Sequence, residues 1–159
     1  MRLPCAGIGL LLLISGAPSI AAERIVLFDF ELINTSLEPT RPDEEARLAM
    51  ISSQLRAEFA GRDEFEVLDA SPLAEEVEAI YLRGCNGCEL KLAQRLGAQL
   101  AGIGWVQKVS NLILNINLQV RDVATGRLTH AGSVDIRGNT DESWQRGLLY
   151  LLERRIFRQ

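Results

Sequence analysis

Residues 112–137 read LILNINLQVRDVATGRLTHAGSVDIR, and this stretch decides the fold. Apolar and polar side chains alternate with a period of two from Leu112 to Val123, which is typical of a strand with one buried face and one wet face. The segment Ala124-Thr125-Gly126 turns the chain, and residues 128–137 alternate again. The pattern predicts an antiparallel hairpin.

The polar side of this hairpin is the most suggestive surface of the sequence. Amide side chains both donate and accept hydrogen bonds, which suits recognition of a partner surface or a polar ligand. An antiparallel sheet with one face in water gives the same pattern without any binding role. Loop residues Thr35 and Ser36 join the candidate site if their loop lies at a carboxyl edge of the sheet. The candidate hairpin residues are Asn115, Asn117, Gln119, Arg121, Ser133, Asp135 and Arg137.

The rest of the chain alternates between strand and helix patterns. We expect strands at 24–32, 65–68 and 100–109, and helices at 43–61, 71–84 and 88–97. Tyr81 belongs to the apolar stripe of the second of these helices. Asn139 and Glu142 resemble a capping box for a last helix, whose apolar stripe is Trp144, Leu148, Leu151 and Leu152.

This order of elements predicts an α/β (α+β) fold in a single domain. We expect a mixed sheet of about five strands, with the C-terminal antiparallel hairpin at one edge and about four packed helices. The parallel part of the sheet joins the first and third strands.

Composition places the chain among globular proteins. It has 159 residues, of which 47% are hydrophobic and 24% charged, enough for one core. The net charge of −4 argues against nucleic acid or an anionic membrane surface as a partner.

The first 22 residues resemble a signal peptide. Met1-Arg2 is a short positive start, residues 6–14 are an apolar run, and small residues allow cleavage after Ala21 or Ala22. An uncleaved membrane anchor is the alternative, but the apolar run is about half of the ~20 residues that a span needs. We therefore expect a cleaved signal at 1–22 and one soluble, periplasmic domain at 23–159.

Two cysteines remain after the signal is removed, Cys85 and Cys88. They lie close together in an exported chain, so we expect a structural disulfide bond between them. A redox-active dithiol is the alternative, because Cys88 lies near a helix start that lowers a thiol pKa. Glu89 follows where haem attachment requires histidine.

No complete catalytic constellation is present in the sequence. His130 is the only histidine, and no G-x-S-x-G elbow accompanies it. Gly102 and Gly104 precede no phosphate-binding helix. Asp29 and Glu31, two apart on a predicted strand, point to one face and resemble a carboxylate pair, although a solvated strand end explains them as well. We therefore expect no enzyme, no cofactor and no metal.

Three stretches resemble a known family of exported bacterial domains. They are RIVLFDFE at 24–31, GAQLAGIG at 97–104 and VRDVATGR at 120–127. The family includes the curli-pore protein CsgG, lipoprotein activators of penicillin-binding proteins and the TolB amino-terminal domain. Residues 104–117 and 137–144 also resemble a small uncharacterised family of exported proteobacterial proteins. These resemblances imply the fold and carry no activity, and without a long membrane-spanning insertion we expect no pore.

A complete fold pattern without a catalytic one favours a binding role. We expect a periplasmic, non-enzymatic accessory protein that contacts another envelope or exported protein. Two alternatives stay open: a thiol–disulfide redox protein that uses Cys85 and Cys88, and a small-ligand carrier.

Overall fold

Six strands form one mixed sheet in the computed structural model, which describes residues 21–158. They are β1 Glu23–Leu27, β2 Glu31–Asn34, β3 Phe65–Leu68, β4 Leu100–Lys108, β5 Ile113–Asp122 and β6 Leu128–Arg137. The order across the sheet is β3-β1-β4-β5-β6, and β2 also pairs with β4. β1 runs parallel to β3 and β4, whereas β5 is antiparallel to β4 and β6.

Four α-helices pack on this sheet and confirm the predicted fold class. They are α1 Pro42–Ala60, α2 Ala74–Glu78, α3 Cys88–Arg95 and α4 Asp141–Leu151, and short helical turns cover Ser71–Leu73, Leu82–Gly84 and Leu152–Ile156. Within the described residues, no helix has both the length and the apolar character needed to cross a membrane. The expected signal peptide lies almost entirely outside the described residues.

The two faces of the sheet carry separate cores. On one face, α1 and α4 pack over β1, β4, β5 and β6, and the buried stripe of β5 is Leu114, Ile116, Leu118 and Val120. On the other face, α3 and the segments beside it bury Val26 of β1, Phe28 just after it, and Ala101 and Ile103 of β4. The buried core of this face therefore contains no residue of β5 or β6, and most of the hairpin is left uncovered there.

A bulge divides the predicted first strand into β1 and β2, which gives six strands where about five were expected. Ile25 pairs with Leu100 and Glu31 with Trp105, so one extra residue lies between these pairs on the β1–β2 side. The Phe30 N–H donates to Ser52 Oγ at 2.9 Å. The alternation of side chains between the two sheet faces shifts by one residue at this bulge. The sequence pattern of the strand alone does not reveal that shift.

The predicted helix at 71–84 is wrong in its second half. The α-helix ends at Glu78, and Tyr81 is 47% exposed rather than buried. The Glu31 carboxylate accepts the N–H groups of Leu82 and Arg83 at 2.7 and 3.3 Å. The sheet therefore holds this segment in place of the helical hydrogen bonds that would continue α2.

The capping box expected at Asn139 is also wrong. Thr140 is the N-cap of α4, and its Oγ1 accepts from the Ser143 N–H. Asn139 is almost fully buried, where it accepts from Trp144 Nε1 at 2.9 Å and donates to Glu44 Oε1 at 2.6 Å. The Asn139 side-chain amide therefore forms hydrogen bonds within the core rather than capping α4.

A buried ion pair joins α1 to the end of β4. Lys108 and Glu44 are both 0% exposed, with Lys108 Nζ 2.6 Å from Glu44 Oε1. The backbone N–H of Arg41 donates to Glu44 Oε2 at 3.0 Å. Together with the Asn139 amide, these contacts compensate the cost of removing the carboxylate from water.

This ion pair predicts loss of stability in acid. Burial raises the pKa of a carboxyl, but Lys108, Arg41 and Asn139 outweigh burial and hold the pKa of Glu44 below its usual 4.5. A folded-state pKa below the unfolded one contributes stability above pH 4.5 that is lost as the pH falls through the folded value. Urea unfolding between about pH 7 and about pH 3 should show a steeper loss for the wild type than for Glu44→Gln. Equal slopes would contradict the lowered pKa.

Candidate functional site

Seven polar residues of β5 and β6 lie on the uncovered side of the hairpin. Asn115 pairs with Asp135 and Asn117 with Ser133, while Ile113, next in register, pairs with Arg137. Along β5, the residues that alternate with them are buried on the opposite face of the sheet. The structure thus places on one surface the set that we call the polar hairpin face: Asn115, Asn117, Gln119, Arg121, Ser133, Asp135 and Arg137.

One end of the polar hairpin face is held by its own hydrogen bonds. Asn115 Nδ2 donates to Ser133 Oγ at 2.9 Å and to Asp135 Oδ1 at 2.7 Å. Asn117 Nδ2 donates to Asn115 Oδ1 at 2.5 Å, and Ser133 Oγ donates to the same oxygen at 3.0 Å. These hydrogen bonds hold the three side chains to one another and to Asp135.

The other end of the face opens into a cleft of about 310 Å³. Gln119 and Arg121 of β5 form one wall, and Ile103 and Trp105 of β4 also line it. The other lining residues are Leu82, Arg83, Asn86 and Gly87 of the segment before α3, and Glu89 in the first turn of α3. We call this cavity the Glu89–Arg121 cleft.

Charged groups in this cleft are unevenly paired. The Arg83 guanidinium lies 4.9 Å from the centre of the Trp105 ring, a cation–π distance. Glu89 is 3% exposed, and its Oε1 is 3.9 Å from Arg121 Nε, too far for a hydrogen bond. Sequence reasoning missed Arg83, Trp105 and Glu89. Trp105 pairs with Asn117 across β4 and β5, so the alternation of β4 places its side chain on the same sheet face as Asn117.

The carboxylates Asp29 and Glu31 do not point to one face, as their spacing predicted. Asp29 lies in the bulge and accepts from Arg56 Nη1 of α1 at 2.7 Å. Glu31 accepts from the segment beside α3, on the opposite side of the sheet. Burial raises the pKa of Glu31, against the opposing effect of the Leu82 and Arg83 N–H groups and the Arg83 charge.

Thr35 and Ser36 lie where β2 and β4 end. Thr35 Oγ1 donates to the Lys108 carbonyl at 2.9 Å. Ser36 Oγ donates to Asn34 Oδ1 at 2.6 Å, inside the loop. Both hydroxyls thus serve the loop and the end of β4, and a role in binding stays a prediction for them.

The cysteine loop forms a wall of the Glu89–Arg121 cleft. The Cα atoms of Cys85 and Cys88 are 5.6 Å apart, a separation that disulfide bonds span. Asn86 and Gly87 between them adopt positive φ angles of 52° and 104°, which make the tight turn into α3. The disulfide and its redox alternative stay predictions.

His130 lies on the α4 side of β6, away from the polar hairpin face. It is half-buried, and its Nδ1 is 3.2 Å from Thr129 Oγ1. In the described part of the chain, no group of three histidine, cysteine, aspartate or glutamate side chains is arranged to hold a metal ion.

Solved structures share this fold at low sequence identity. The LpoB C-terminal domain from Salmonella enterica has a TM-score of 0.54 at 14% identity, over 75% of this chain and 85% of that chain. Lipoprotein GNA1162 from Neisseria meningitidis has a TM-score of 0.53 at 15% identity, over 74% and 82%. The PelC dodecamer from Paraburkholderia phytofirmans has a TM-score of 0.51 at 11% identity, over 87% and 91%. Among curated proteins, no sequence matches this chain.

These likenesses bear on the resemblance inferred from the sequence. The LpoB C-terminal domain is among the similar structures, whereas the resemblance to CsgG stays a prediction. At such identities the likeness shows the fold alone. A family model, by contrast, matches nearly all of the described chain, over residues 23–156. The chain therefore belongs to the family DUF3280, which is described as "Protein of unknown function (DUF2380)".

Proposed function

We propose that this chain is a non-enzymatic accessory protein of the periplasm that binds another envelope or exported protein through the polar hairpin face. One observation carries the proposal. On one sheet face the helices bury residues of β1, β4, β5 and β6, but on the other face the buried core stops at β4 and leaves most of β5 and β6 open.

The chemistry of this face suits a protein partner. It offers amides and hydroxyls together with the cations Arg121 and Arg137 and the anion Asp135, a mixture typical of the polar parts of protein interfaces. Because Asn115, Asn117 and Ser133 already hold each other, binding orders few additional side chains.

A structural neighbour supports the proposed location. GNA1162, which shares the fold, is named a lipoprotein, and this supports a place for the present chain in the envelope. We extend this location to the present chain as part of the proposal.

Capture of a partner from periplasmic extract tests this proposal. Tagged wild-type protein, crosslinked in extract, should recover a partner whose yield falls at least about tenfold when Asn115, Asn117 and Arg121 are replaced together by alanine, since a few central contacts dominate most interfaces. A control variant with Glu142→Ala and Arg146→Ala changes two exposed side chains of α4 and should recover the partner normally. Equal recovery by all three proteins would discard this face as the binding surface.

A further inference from the structure

The Glu89–Arg121 cleft differs from the rest of the polar hairpin face in its hydrogen bonding. At the Asn115 end, donors and acceptors satisfy one another. At the cleft end, Arg121 Nε is buried and has no hydrogen-bond partner among the described residues. Glu89 is 3% exposed, and its Oε1 faces Arg121 Nε at 3.9 Å. A buried donor without a partner among the described residues therefore lies beside a carboxylate whose side chain is 4% exposed.

Their separation leaves room for a bridging group. Arg121 Nε and Glu89 Oε1 are 3.9 Å apart, beyond a direct hydrogen bond. A group that fills this position must accept from Arg121 and donate to Glu89. Buried polar groups in folded proteins bond to protein or to ordered water as a rule, so this pair offers a bound group one donor and one acceptor at the cavity.

Charged ligand groups do not meet this requirement. A carboxylate only accepts, and Glu89 repels it, whereas an ammonium only donates, and Arg121 repels it. A single hydroxyl oxygen with bonds of about 2.8 Å to both atoms makes an angle near 90° between them, so it fits the pair less well than a group with a separate donor and acceptor. A peptide bond points its N–H and C=O in opposite directions.

A side-chain carboxamide fits both sites at once. Its oxygen and its NH₂ group are adjacent and point the same way, so the oxygen accepts from Arg121 while the nitrogen donates to Glu89. The Trp105 and Arg83 planes line the same cavity and offer a flat group a surface for stacking. Gln119 lines the same cavity and adds a further amide beside this pair.

From this geometry we infer that the Glu89–Arg121 cleft is a specificity subsite for an asparagine or glutamine side chain of the partner protein. The inference rests on the proposed function and deepens it. The carboxamide anchors the partner at the open end of the polar hairpin face, beside the self-bonded end.

A small-molecule probe tests the subsite without the partner. We would titrate ¹⁵N-labelled protein with N-acetyl-glutamine N-methylamide and follow the indole N–H signal of Trp105. Trp144 supplies an internal reference, because its indole is fully buried and bonded to Asn139. The methionine and glutamate analogues of the probe match the length of its side chain but lack the side-chain carboxamide. We expect a saturable shift of the Trp105 signal with millimolar affinity for the glutamine probe, and at least fivefold weaker effects of both analogues.

Variants locate the binding. Arg121→Met keeps the side-chain stem and removes the donor, so the probe affinity should fall at least fivefold, and Glu89→Gln should weaken it similarly. Arg137→Met lies on the same face outside the cleft and should bind as the wild type does. No saturable shift, an equal response to the methionine analogue, or full binding by Arg121→Met would overturn the subsite.

The two proposals fail in distinguishable ways. If the triple alanine variant loses its partner but the glutamine probe does not bind, the subsite is wrong and the binding face stands. If the probe binds at the cleft but partner recovery is unchanged in the triple variant, the proposed face is wrong, and the subsite loses its role in partner recognition.

Discussion

Replacing Lys108 with methionine should lower the free energy of unfolding by about 3–5 kcal/mol, the range observed when one partner of a buried ion pair is removed. Lys108 and Glu44 are fully buried, and Lys108 Nζ lies 2.6 Å from Glu44 Oε1. The substitution therefore leaves a carboxylate in the core without its counter-charge. Denaturant unfolding near neutral pH, followed by circular dichroism, measures the change.

A double-mutant cycle separates the pair from simple packing. Glu44→Gln in the Lys108→Met background removes the stranded charge, and we expect it to restore most of the lost stability, because neutral replacements of buried pairs are often tolerated. Lys91→Met, at an exposed position of α3, should change stability by less than about 0.5 kcal/mol. A cost below about 1 kcal/mol for Lys108→Met, or no recovery in the double variant, would contradict the ion pair.

The hairpin was predictable because its signal is local. The alternation from Leu114 to Val120 assigns each side chain to a face without reference to the rest of the chain, and Gly126 marks the turn. The same reasoning gave the seven residues of the polar hairpin face their common surface. Their pairing with one another at the Asn115 end follows from register, which the turn position sets.

Contacts between distant segments were not predictable in the same way. Lys108 has the buried parity of Val106 in β4, so the pattern contains a hint that a lysine faces the core. Which of 21 acidic residues neutralises it depends on how α1 packs, and the sequence pattern does not specify that. The same holds for the cleft, because Glu89 meets Arg121 only through the path of the loop before α3.

Leu148→Asp should abolish stable folding. Leu148 is 0% exposed in the core between α4 and the sheet, where it lies with Trp144 and Leu151. An aspartate there loses the apolar contacts and buries a charge or forces protonation, and the combined cost rivals the 5–15 kcal/mol of total stability that is typical of a domain. We expect an insoluble product, or a soluble one without a cooperative thermal transition.

Two further variants keep this expectation open to contradiction. Leu148→Ala only removes volume, so it should fold with a loss of about 2–5 kcal/mol, which is measurable by denaturant unfolding. Tyr150→Asp places the same charge two residues away at a half-exposed position of α4, and should cost about 1 kcal/mol or less. A soluble Leu148→Asp protein with an unchanged melting temperature would mean that α4 presents a different face to the sheet, and that the side chains around Trp144 are not its core contacts.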